Sequence, residues 1–300
     1  MRTRALLAPL LCGLWPWAAG AGTGVPVAPP APGGAEVAEE ARVLAPGRAE
    51  ADRIYDLMGL PRLVDTMRAE GLRMSEQLAE DYLDAPATPA FHDMATRIYD
   101  TERMNRVMRR AFVRRLGEAA PWQLDHLVAY YDSPPAQRIV RAELGARRDF
   151  LDPEVETEAG RDAEIARVEE PDLYAAVGAY VEAGDLIEMN LGGVLTANYH
   201  FYLGLMDGGA YTMTEEEILA DVWQQEEAAR LDIELWLRAF LTYAYQDVPD
   251  AALDDYLALV RSPEGQRLNA ALFEAYGVLY NDLYRALGRG VSTLLSGEEL

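Results

Sequence analysis

The sequence predicts an all-α protein built from two homologous helical-bundle repeats of about five helices each, behind a signal peptide and a disordered leader rich in Pro, Ala and Gly. Three observations predict it. Apolar residues recur at i, i+3, i+4 and i+7 through long segments. Alternating apolar and polar runs bounded by turns are absent, while Ala, Leu, Glu and Arg dominate. One sixteen-residue motif returns 129 positions later. The 300 residues are 50% hydrophobic and 26% charged, a globular balance with room for about two domains.

The chain opens with the anatomy of an export signal. Arg2 and Arg4 precede an apolar stretch over residues 5–14, and Ala19-Gly20-Ala21 fits a small-x-small cleavage site. Pro9 and Pro16 interrupt the stretch, which is shorter than the ~20 residues a membrane span needs. Cys12 is preceded by Leu11 rather than a small residue, so lipidation is not expected. Residues 1–21 therefore read as a signal peptide. Cleavage after Ala21 would remove two arginines and no acid, taking the net charge from −23 to −25 and leaving no cysteine. Disulfides and Cys-based metal sites are then excluded from the mature chain. Lys is absent, so all 27 basic residues are Arg, a coding bias that suggests a bacterium. The expected destination is the periplasm of a Gram-negative bacterium or the exterior. Residues 22–47, with Pro26, Pro29, Pro30 and Pro32, read as the leader.

Residues 50–151 read as the first helical copy. From Ile98 to Leu116, Met104, Val107, Met108, Ala111, Phe112 and Leu116 mark one buried face. Arginines 103, 106, 109, 110, 114 and 115 fill other positions and are expected to meet nearby acids. Residues 152–171 carry eight acids and read as an acidic linker or an extension of the preceding helix. Residues 172–289 read as the second copy, and residues 290–300 as a tail. Thr214-Glu215-Glu216-Glu217 is a capping box opening a helix expected to run to Tyr245, with Pro249 blocking continuation. Glu216, Glu217, Glu226 and Glu227 form an acidic face there; a di-metal bundle would need Glu-x-x-His pairs, and this helix has no His.

The repeated motif aligns residues 124–139 with residues 253–268, identical at seven of sixteen positions. In both, an apolar helix ends, Ser133 or Ser262 caps the next helix, and Pro134 or Pro263 takes its first turn. Gln137 and Gln266 follow at matching places. Upstream, Arg62-Leu63-Val64-Asp65 matches Asp185-Leu186-Ile187-Glu188 loosely, and Thr88-Pro89 opens a helix as Thr214 does. The acidic-apolar helix followed by Tyr-Tyr-x-Ser-Pro-x-x-Gln-Arg resembles the bacterial secreted family known as domain of unknown function 2059. Ala136 stands where that family usually has Gly, Arg138 where it has Lys, and Val260 replaces the aromatic residue in the second copy. The resemblance implies an exported all-helical domain and transfers no catalytic residue. Ser133, Pro134, Gln137, Ser262, Pro263 and Gln266 therefore read as structural.

The charge argues against nucleic-acid partners and against anionic membranes, which call for positive patches. His92, His126 and His200 lack a His or Cys partner at i+4, and no Gly-x-Ser-x-Gly elbow or phosphate-cradling loop is present. No cofactor and no metal is expected. The leading expectation is a non-enzymatic binding or interaction module with an unknown protein or small-molecule partner. Two alternatives stand beside it: a carrier of a small apolar or aromatic ligand, and a hydrolase with a scattered site. For the carrier, residues 189–206 hold no formal charge, and Asn198, Tyr199, His200 and Tyr202 are the candidate ligand-binding residues. An exposed Trp122 would support a homodimer.

Overall fold

The computed structural model describes residues 47–83, 88–209 and 211–295. Residues 1–21, read as a signal peptide, nearly all of residues 22–47, read as a leader, and the last five residues lie outside the described residues. Six helices occupy the first half: α1 (Arg48–Leu57), α2 (Leu60–Leu83), α3 (Pro89–Ile98), α4 (Thr101–Leu116), α5 (Pro121–Tyr131) and α6 (Pro134–Asp149). After α7 (Pro153–Glu169) come α8 (Pro171–Ala183), α9 (Leu186–Asp207), α10 (Glu215–Trp223), α11 (Glu226–Tyr245), α12 (Asp250–Arg261) and α13 (Pro263–Leu295). No strand occurs among the described residues.

Local chemistry sets most of these boundaries. Proline opens α3, α5, α6, α7, α8 and α13, where its missing N–H leaves no bond unmade. Side-chain oxygens of Thr88, Asp100, Ser133, Asp152 and Thr214 accept from backbone N–H groups in the first turns that follow. The repeated motif also repeats its hydrogen bonds. Ser133 Oγ accepts from Ala136 N at 3.4 Å, and Ser262 Oγ accepts from Gly265 N at 3.1 Å. Gln137 Nε2 donates to Tyr131 O at 2.6 Å, and Gln266 Nε2 donates to Val260 O at 2.9 Å. Even the α1–α2 and α8–α9 turns match, for each needs a left-handed residue, Gly59 at φ 70° and Asp185 at φ 46°.

Four details differ from the sequence reading. The helix read from Ile98 to Leu116 begins at Thr101, because Ile98 closes α3 and Asp100 caps α4. The acidic segment is neither linker nor extension but a separate helix, α7, packed against α11. Ala159, Ala163 and Ala166 form its buried stripe, and acids occupy the remaining turns. The helix expected from Thr214 to Tyr245 breaks at Gln224–Gln225. There the Gln225 side chain takes the Asp221 carbonyl at 3.0 Å and accepts from Asn198, so side-chain bonds replace a ladder bond. Residues 290–295 are no tail. They continue α13, with Gly290, Val291 and Ser292 buried and Ser292 Oγ donating to Leu205 O at 2.8 Å.

One hydrophobic core runs from Ala51 to Val291, so the two halves pack as one body. α13 is its spine and touches α9 and α4 most extensively. Arginines of α4 stitch its contact with α13 from outside, Arg114 and Arg115 pairing with Glu274 and Arg103 with Asp282, while Arg109 ties α4 to α1 through Asp52 and Asp56. Deeper, Arg147 of α6 holds Glu70 of α2 through two bonds of 2.6 and 2.9 Å, both residues buried. The second buried polar centre is Glu143 of α6. Its Oε1 accepts from Tyr245 at 2.6 Å and Tyr256 at 3.2 Å, joining the first half to α11 and α12.

Candidate functional site

Helices α9 and α13 run in the same direction and meet at two glycines. A Cβ on Gly204 would lie 2.3 Å from the Arg285 carbonyl oxygen, and one on Gly288 would lie 2.2 Å from that of Phe201. Only glycine permits this backbone approach. N-terminal to the crossing the helices separate, and a cavity of about 970 Å³ opens between them. Residues from Glu188 to Asn198 of α9 and from Pro263 to Tyr284 of α13 line it, with Arg115 and Ala119 beside them.

The two walls differ. On α13, Phe273, Gly277, Tyr280 and Tyr284 recur at helical spacing, with Tyr276 next to them. Tyr276 and Tyr280 stack with centroids 6.3 Å apart, and Tyr280 meets Tyr284 edge-on at 6.1 Å. On α9 the wall is amide and small: Asn190, Gly192, Gly193, Thr196, Ala197 and Asn198. Gly192 and Gly277 differ in kind from the crossing glycines, because a Cβ on either would meet no atom within 4 Å. Charged residues at the cavity include two paired ones: Glu274 bonds Arg114 and Arg115, and Glu188 bonds Arg230.

Three buried polar atoms in the walls have no hydrogen-bond partner: Asn190 Oδ1, Asn198 Oδ1 and the Tyr276 hydroxyl. Both amide nitrogens are engaged. Asn190 Nδ2 donates to Leu186 O at 2.6 Å, and Asn198 Nδ2 donates to Gln225 Oε1 at 3.3 Å. Other buried polar atoms without a partner, His200 Nδ1 and both side-chain amide atoms of Asn269 among them, belong to residues outside the cavity lining.

Of the four residues expected to bind ligand, Asn198 lines this cavity. Tyr199, His200 and Tyr202 are not among its lining residues. The Tyr199 hydroxyl donates to Glu215 Oε1 at 3.0 Å, and that of Tyr202 to the Asp221 carboxylate, so both tie α9 to α10. His200 Nδ1 is buried without a partner; burial, then the nearby Arg285, push its pKa down and keep the ring neutral at pH 7. Of the six motif residues, Ser133, Ser262, Gln137 and Gln266 make the bonds described above, and Pro134 and Pro263 open α6 and α13. The residues missed by sequence reading are the α13 aromatics and Gly277. Their signal was present as one face of a helix, but a stripe of that kind reads first as core.

Among the described residues no group of three or more His, Cys, Asp or Glu is placed to hold a metal, and no helix is long and apolar enough to cross a membrane. No family model, curated protein or solved structure matches the chain.

Proposed function

We propose that this chain is a non-enzymatic, exported binding module that holds a small, largely apolar ligand between α9 and α13. The observation that carries the reading is the cavity itself. Its volume of about 970 Å³ falls at the upper end of the ~300–1,000 Å³ range of small-molecule sites. A module that only docks proteins calls for no such space, so the cavity favours the ligand holder. The export half of the reading rests on the basic, apolar and small-residue order of residues 1–21. The matched caps, glutamines and left-handed turns support a duplicated unit, α1–α6 and α8–α13, resembling family 2059 twice over.

The test is the intact mass of the protein purified natively from periplasm. The expected result is a chain lacking residues 1–21 that carries a reproducible excess of a few hundred daltons, lost on denaturation. N-phenyl-1-naphthylamine, a neutral dye that fluoresces in apolar surroundings, gives a second readout. Gly277→Phe fills the cavity and should abolish dye uptake while the far-UV circular dichroism stays helical. A bare mass together with no dye uptake would refute the reading.

A further inference from the structure

We propose that the α9–α13 cavity selects neutral aromatic molecules bearing hydrogen-bond donors, phenols or aromatic amines, and reads those donors with the side-chain carbonyls of Asn190 and Asn198. The inference rests on the ligand-holder reading and specifies its ligand. Three features carry it.

The first is the aromatic wall. Tyr276, Tyr280 and Tyr284 present a ladder of rings along one side of the space, in stacked and edge-on contacts that a planar ring can extend. The second is the direction of the missing bonds. Asn190 and Asn198 are 1% and 3% exposed, and in each the Nδ2 is bonded while Oδ1 is not. What the wall lacks is therefore donors, and an O–H or N–H on the ligand supplies them. The orphan oxygens are closed to solvent, so a ligand reaches them by turning each amide about its broad terminal torsion, at some cost to the bond its Nδ2 makes. The unpartnered Tyr276 hydroxyl adds a group that can donate or accept. The third feature is charge. The lining residues from Asn190 to Asn198 and from Tyr276 to Tyr284 carry none; the charged lining residues Arg115, Glu188, Arg267 and Glu274 lie outside those stretches, with Glu188 and Glu274 paired to arginines. An ion moved into such walls would lose its hydration without a counter-charge.

The experiment uses the full mature chain loaded with N-phenyl-1-naphthylamine and two displacing probes of one shape, 4,4′-dihydroxybiphenyl and biphenyl. The hydroxylated probe should displace the dye at about ten-fold lower concentration, the worth of one or two neutral hydrogen bonds. Asn190→Leu and Asn198→Leu should each shrink that ratio toward one, and should loosen the dye as well, because its own N–H is a donor of the kind proposed. The ratio in the unmodified protein needs no variant, so a variant that fails to fold leaves the test intact. Equal displacement by both probes would overturn this inference while the ligand-holder reading stood. A preference that survived in both Asn variants would overturn the assignment of the carbonyls. Failure of the dye to bind a chain of bare intact mass would overturn the ligand-holder reading on which the inference rests.

Discussion

Glu143 offers the sharpest test of the buried architecture. It is fully buried, and burial pushes its pKa up to about 8, against the smaller downward pull of the bonds from Tyr245 and Tyr256. At pH 7 the folded protein therefore keeps this carboxyl protonated, while the unfolded chain ionises it near 4.5. The sign follows by linkage. Below pH 4.5 the group is protonated in both states and costs nothing. Between 4.5 and 8 the unfolded state releases a proton that the folded state retains, so each pH unit lowers the folding equilibrium about ten-fold. Above 8 the loss is complete. At pH 7 the penalty is roughly 3 kcal/mol, from the gap between pH 7 and 4.5 at ~1.4 kcal/mol per unit. Glu143→Gln keeps the shape and an acceptor for the two tyrosines but cannot ionise. Urea unfolding of both proteins at pH 5, 6, 7 and 8 isolates the effect, because the other acids cancel in the difference. The variant should exceed the parent by under about 1 kcal/mol at pH 5, and the gap should widen to roughly 3 kcal/mol at pH 7 and about 4 at pH 8. A gap that stays constant across this range would refute the protonated, buried state of Glu143.

Two further predictions address the buried ion pair and the glycines. Arg147→Met strands Glu70 without its partner and should cost about 3–5 kcal/mol in urea unfolding, whereas the double change with Glu70→Leu should recover most of that loss; equal losses in both would argue that the pair is not what matters. Gly204→Ala should lower stability by about 1–3 kcal/mol, since its Cβ would lie 2.3 Å from the Arg285 carbonyl oxygen. Gly277→Ala should raise stability by ~0.5–1 kcal/mol, because its Cβ meets nothing and alanine is the better helix former. Thermal melts of the two variants that moved in the same direction would contradict the assigned roles.

Helix starts were legible in the sequence because they are local. A Ser, Thr or Asp followed by Pro or Glu states its own capping chemistry, and Thr88, Ser133 and Thr214 cap as their neighbours imply. The α4 stripe from Met104 to Leu116 was equally plain, although the Ile98 at its head closes α3 and Asp100 starts the new helix. The break before α11 was not legible, since it depends on Gln225 meeting Asn198, 27 residues away. Helix α7 was obscured by its own charge: its alanine stripe buries little, so the acids dominate the pattern. For the candidate site, residues 189–206 stood out by lack of charge, yet which of them face the cavity depends on the rotation of α9 about its axis. That rotation is set by α13 and α10, and it turned Asn198 to the cavity and the hydroxyls of Tyr199 and Tyr202 to carboxylates beside α9.

The glycines show why the cavity belongs to the fold rather than to chance packing. Gly204 and Gly288 let two backbones touch, and that contact fixes where α9 and α13 cross. N-terminal to that contact both helices line the cavity, and there the sequence places Gly192 and Gly277, where alanine would have fitted and favoured the helix by ~0.5–1 kcal/mol. Asn190 and Asn198 keep unpaired carbonyl oxygens in the same walls, where an apolar residue would avoid about 1–3 kcal/mol of desolvation for each. Each choice forgoes stability in the empty protein. Grouped around one space, they are the residues expected where stability is recovered only when something else occupies it.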